Sequence, residues 1–121
     1  MPVALATVSV GAASGTSAQT SGGSASVLAE IATAGTFTLH IDLSLRSSND
    51  TIEIRILQKI LSAGALRIAY YQFFSGVQPT DNQLQISVPI ANDLVEAASL
   101  RFTIQQPTGT ARALPYKVIS Y

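Results

Sequence analysis

The chain has 121 residues, enough for one domain, and its 47% hydrophobic and 12% charged composition excludes disorder over its whole length. Seven Lys and Arg balance seven Asp and Glu, so no basic footprint is available for nucleic-acid phosphates. Cys is absent and His occurs once, which excludes a disulfide framework and a thiolate metal site and makes a zinc centre remote.

The N-terminus, MPVALATVSVGAAS, is apolar but lacks the positive n-region of a signal peptide. It is also too short to span a bilayer. The expectation is a mature cytoplasmic product with no membrane partner. The first charged side chain is Glu30. Residues 11–26, GAASGTSAQTSGGSAS, have the composition of a flexible coil. Ahead of them, Val3, Leu5, Val8 and Val10 make a short strand or sticky peptide, with a slip in alternation between Leu5 and Val8. These features predict a flexible N-terminal arm over residues 1–26 and a folded body over residues 27–121. The competing expectation is that residues 3–10 form an edge strand of the chain's own sheet.

Period-2 alternation marks the strands of the body. A weaker segment covers residues 27–33. Phe37, Leu39, Ile41 and Leu43 then alternate with Thr36, Thr38, His40 and Asp42, and residues 47–50 make a turn. Ile52, Ile54 and Ile56 alternate with Glu53, Arg55 and Leu57, with room to extend to Leu61. An aromatic-rich strand follows over residues 66–74, then a loop, GVQPTDN, with Pro79 and Asp81 in turn positions. Leu84, Ile86, Val88 and Ile90 alternate with Gln85, Ser87 and Pro89; Pro89 has no N–H to donate, which predicts an edge or a bulge. Residues 92–98, NDLVEAA, read as a short helical or looped crossover capped by Asn92, with Leu94, Val95 and Ala98 inward. Leu100, Phe102 and Ile104 form the next strand, residues 107–110 a turn, and Leu114, Tyr116 and Val118 the last strand. Short strands at this spacing predict an all-β, two-sheet β-sandwich, jelly-roll-like, with an immunoglobulin-like sandwich as the competing topology.

No catalytic constellation stands out. His40, Asp42 and Ser44 share one strand face and project in a row rather than converging, so an exposed sheet-face histidine is the simpler reading. The seven acids show no spacing suited to glycoside hydrolysis. Loops carrying Asn49, Asp50 and Asp81 could gather a calcium ion, but no calcium-loop motif is present. The expectation is no enzyme, no cofactor and no metal.

The aromatic strand is more informative. Tyr70 and Phe74 lie on one face, Tyr71 and Phe73 on the other. If one face is core, the second needs a cover: a neighbouring subunit, the arm or a ligand. The alternative is a central strand buried on both sides within the monomer. Ile119 and Tyr121 likewise oppose Leu114, Tyr116 and Val118, and together with Leu57 they predict a second apolar surface, a subunit interface in an oligomer. The interface candidates are therefore Val3, Leu5, Val8, Val10, Leu57, Tyr71, Phe73, Ile119 and Tyr121, with a trimer expected first and a dimer second. An aromatic platform also serves carbohydrate binding, although the chain has no Trp.

The stretches TFTLHIDLS, DTIEIRI, RIAYYQFFSGVQPTDNQLQISVPIANDL and LRFTIQQPTGTARALPYKVISY resemble small virion-associated structural proteins of tailed bacteriophages. Such proteins look like capsid decoration, or cement, proteins: small β domains that bind the outer shell. The resemblance covers residues 30–121 and carries no site motif. It implies a structural virion protein on the capsid exterior, assembled in the host cytoplasm. Its implied partners are the major capsid protein and copies of itself. The competing function is a carbohydrate-binding module using Tyr70, Tyr71 or Phe73; a small hydrolase stands third.

Overall fold

The computed structural model describes residues 10–16, 25–44, 49–78, 83–109 and 114–121, and these hold nine strands, most of them where apolar and polar side chains alternate. They are β1 (Val10–Thr16), β2 (Ser26–Ile31), β3 (Gly35–Asp42), β4 (Thr51–Gln58), β5 (Arg67–Ser75), β6 (Leu84–Ile86), β7 (Ile90–Asn92), β8 (Leu100–Gln105) and β9 (Pro115–Ser120). One sheet runs β1-β9-β3-β6, with β7 also on β3; the other runs β2-β8-β4-β5. Every pairing is antiparallel. The chain is all-β, as its sequence predicts.

Strands β6 and β7 are two halves of one interrupted strand. β6 pairs with residues 40–42 of β3 and β7 with residues 35–37. Between them Ser87 holds the chain to β3: its N–H donates to the Leu39 carbonyl at 2.8 Å, and its Oγ accepts from the Leu39 N–H at 2.9 Å. Pro89 falls in this interruption at the sheet edge, where a missing N–H costs nothing. With β6 and β7 counted as one, successive strands alternate between the sheets except for the β4–β5 hairpin. That is the order of an eight-stranded jelly roll.

The inward positions of both sheets fill one core. Phe37, Leu39 and Ile41 of β3 and Val118 of β9 meet Ile52, Ile54 and Ile56 of β4 and Leu100, Phe102 and Ile104 of β8, all buried. Tyr116 packs on this core and donates its hydroxyl hydrogen to the Leu28 carbonyl at 2.8 Å, tying β9 to β2 across the sandwich.

Three expectations change. The arm boundary at residue 26 cuts through the fold: Val10–Thr16, inside the small-residue run, pairs with β9 at six register positions and is the first strand of the roll. Main-chain pairing makes no demand for large side chains, so composition alone hid it. Val3, Leu5 and Val8 lie outside the described residues. Second, of the two forms expected for residues 92–98 the looped one is found, but Asn92 caps no helix and Val95 does not turn inward. The Asn92 side chain is buried and donates to the Thr33 carbonyl (2.8 Å) and to Ser99 Oγ (3.0 Å), pinning neighbouring loops instead of capping a helix. Val95 is among the most exposed apolar residues. Third, β4 stops at Gln58, leaving Ile60 and Leu61 exposed in the following turn.

Candidate functional site

Sheet order leaves β5 at one edge of its sheet, and β6 and β7 at an edge of the other. The two edges lie on the same flank: Tyr70 and Phe74 of β5 border a small gap that Gln85, Ile86 and Ser87 also line. On β5, Phe74 is buried and Tyr70 packs on the core, while Tyr71 and Phe73 point outward with 45% and 46% of their surface exposed. The two-faced aromatic strand is thus an edge, not a centre. Ile68 is exposed beside them, and half-buried Leu57 is its register partner.

The β6 half-strand carries the larger surprise. Gln85 pairs with core residue Ile41, so Gln85 and Ser87 turn inward while Leu84, Ile86 and Val88 turn outward, exposed by 58%, 55% and 52%. Alternation in the sequence was right, but its phase against the core is reversed. The reason is Ser87, whose buried hydroxyl is used by the Leu39 backbone N–H. A polar residue with a dedicated backbone partner can claim the inner face.

Of the remaining candidates, Ile119 is half-buried on the outer face of the β3 sheet, and Tyr121 is exposed just past β9. The Tyr121 hydroxyl lies 3.1 Å from Thr38 Oγ1, which in turn lies 3.0 Å from His40 Nε2. Leu57 does not join these residues: it belongs to the opposite sheet with Tyr71 and Phe73. The single second surface expected from Leu57, Ile119 and Tyr121 is therefore two surfaces. Val10 opens β1, opposite Ser120.

Tyr71 is committed to neighbours. Its hydroxyl donates to Glu53 Oε1 at 2.9 Å, Glu53 Oε2 pairs with Arg55 at 3.1 Å, and the Arg55 guanidinium stands 5.0 Å from the Tyr71 ring centroid. Arg55 also donates to Gln105 Oε1 at 3.3 Å. The hydrogen bond to Glu53, above all, raises the Tyr71 phenol above its ordinary pKa. A ring with a cation over it and its hydroxyl already bonded is a poor open platform for a sugar.

A shallow depression of about 170 Å³ opens on the other sheet, lined by His40, Asp42, Leu84, Pro115, Tyr116 and Lys117. It does not assemble a triad: His40 Nε2 faces Thr38, and Asp42 Oδ1 accepts the Ser44 backbone N–H at 2.8 Å. Among the described residues no cluster of three or more His, Asp or Glu side chains converges. Asp50 is buried, and Asp81 lies outside the described residues, so the calcium grouping is not formed by what is described.

Burial first, and the Lys117 charge second, hold the His40 imidazole below its ordinary pKa. The unfolded chain then binds the proton more readily than the folded one. Stability present above an unfolded value of about 6.5 should fall as pH drops through it toward the folded pKa. Denaturant unfolding between about pH 7.5 and pH 5.5 should show this loss. His40→Gln should flatten that window, and an unchanged slope would sink the assignment. Asp42, lowered mainly by the Ser44 backbone hydrogen bond, contributes in a separate window: its stabilisation is lost as pH falls below about 3.8.

No protein-family model, curated protein or solved structure matches the chain.

Proposed function

We propose that this chain is a structural virion protein of a bacteriophage, a decoration protein that docks on the outer capsid shell and stabilises it. Support comes chiefly from one feature: β6 and the residues just after it turn Leu84, Ile86 and Val88 to solvent, with half-buried Gln85 and buried Ser87 on the inner side instead. Three large apolar side chains in a row on an edge strand are a liability in a free monomer and an asset under a partner. Ile119 and Tyr121 extend the same outer face, and no charged residue lies between Leu84 and Asn92. The resemblance over residues 30–121 points the same way, and jelly rolls recur in viral capsid and lectin domains, an analogy at the level of fold. The carbohydrate reading loses ground because Arg55 and Glu53 already occupy Tyr71.

The test is co-sedimentation of purified protein with phage particles that lack it, followed by heating of the decorated particles. Saturable binding and a raised disruption temperature are expected. Ile86→Lys should weaken binding at least about tenfold, the scale of losing one central apolar anchor, with unchanged circular dichroism. Protein that stays in the supernatant but elutes specifically from immobilised glycan would overturn the proposal in favour of a carbohydrate module.

A further inference from the structure

We propose that two copies of this chain pair through their β5 edges, antiparallel about a two-fold axis at Gln72, joining two four-stranded sheets into one of eight. The inference deepens the assembly reading above by naming a self-interface distinct from the capsid-facing one. It starts from the edge itself. β5 spans nine residues, Arg67–Ser75, and is bonded on one side only, by β4; among the described residues no strand lies on its far side. Edges this long are normally blunted by charges or Pro. Here Ile68–Ser75 carry neither, and the one irregularity is an extra residue, Ala69, between the partners of Ile56 and Leu57.

The occupant follows from self-complementarity. Two-fold pairing sets each residue against its mirror, so a strand with a central charge would repel its copy; this strand has none. The neighbouring edge on the same flank, β6 through β7, is also uncharged, so no like charges meet there either.

Register follows from the side chains. Paired residues must share a face, which allows axes centred on a residue and forbids slips of one. An axis at Gln72 sets Tyr71 against Phe73 of the second copy twice over on the outer face, and Tyr70 against Phe74 twice on the inner face. Four aromatic cross-strand pairs result, each a favourable contact. An axis at Tyr71 would instead oppose Phe73 to Ala69 and Tyr70 to Gln72. With the axis at Gln72 the lone Arg67 falls opposite Val77, clear of its own copy.

The test uses the full chain. Light scattering and sedimentation equilibrium should give a concentration-dependent dimer, and Phe73→Lys should give a monomer with unchanged circular dichroism and cooperative unfolding. Because the native chain has no Cys, a Gln72→Cys chain provides a register test. Directly opposed antiparallel residues have Cα atoms about 4.5–5.5 Å apart, within disulfide reach. Mild oxidation should link the Gln72→Cys copies nearly completely and leave Ile68→Cys copies unlinked. A monomer at every concentration overturns the proposal. So does a trimer, or an oligomer that survives Phe73→Lys without linking at position 72. If the full chain binds to an added extended peptide at β5 and remains monomeric otherwise, the edge serves a foreign strand and the proposal fails. Particle binding is read separately: linked dimers that ignore particles defeat only the capsid reading, and particle binding by an unlinked monomer defeats only this one.

Discussion

Deletion of residues 1–26 is expected to cost roughly 3–9 kcal/mol of folding stability, the net worth of about six main-chain hydrogen bonds at 0.5–1.5 kcal/mol each. The segment removed includes β1, which pairs with β9 from Val10 opposite Ser120 to Thr16 opposite Pro115. Its loss leaves β9 as a bare edge beside the buried core residue Val118. Against a total of about 5–15 kcal/mol for an ordinary domain, the truncated body should be marginal or unfolded at 37 °C. Urea unfolding of the two chains measures the difference. A truncated body that unfolds cooperatively near the full-length midpoint would restore the tether reading and remove β1 from the fold. Loss of particle binding by the truncated chain proves little unless the protein is first shown to be folded.

Gly109→Ala is expected to cost about 3 kcal/mol and to lower the melting temperature by roughly 10–15 °C. Gly109 has φ +99°, in the region that side chains with a Cβ rarely enter. An added Cβ would also strike Asp50, meeting its Oδ1 and standing 2.6 Å from its Cα, and would lie 2.8 Å from the Asn49 carbonyl oxygen. Those atoms cannot withdraw cheaply. Asp50 is fully buried and its carbonyl accepts the Gly76 N–H at 2.9 Å. Thr51 N–H donates to the Thr108 carbonyl at 3.2 Å, and the Thr51 and Thr108 hydroxyls meet at 2.7 Å. The turn after β8 is thereby stitched to the start of β4, and strain at Gly109 passes into the β2-β8-β4-β5 sheet. Thermal unfolding followed by circular dichroism checks the expectation; a shift under about 3 °C, the scale of less than 1 kcal/mol, would show that the turn relaxes freely.

Fold class and most of the core are legible in the residues alone. Phe37, Leu39 and Ile41, then Ile52, Ile54 and Ile56, then Phe102 and Ile104, repeat every second residue, and a strand has only two faces to offer. The two faces of the Tyr70–Phe74 stretch and the edge position of Pro89 were legible for the same kind of reason. The first follows from backbone period and the second from a missing donor. Long-range packing alone sets which face of an alternating strand becomes the inside, and which backbone finds a partner. Leu84, Ile86 and Val88 alternate as faithfully as any core triplet, yet they face out, because the Ser87 hydroxyl is held by Leu39 from a strand 48 residues away in sequence. Val10–Thr16 has the composition of a tether, yet it completes a sheet, because β9 presents a free row of N–H and C=O groups that any extended chain can satisfy. Leu57 shares its apolar character with Ile119 and Tyr121, yet sheet order sets it on the opposite side of the sandwich. Periodicity is a local property of the chain; phase, partner and sheet are settled by long-range packing, where each buried polar group must find its bond.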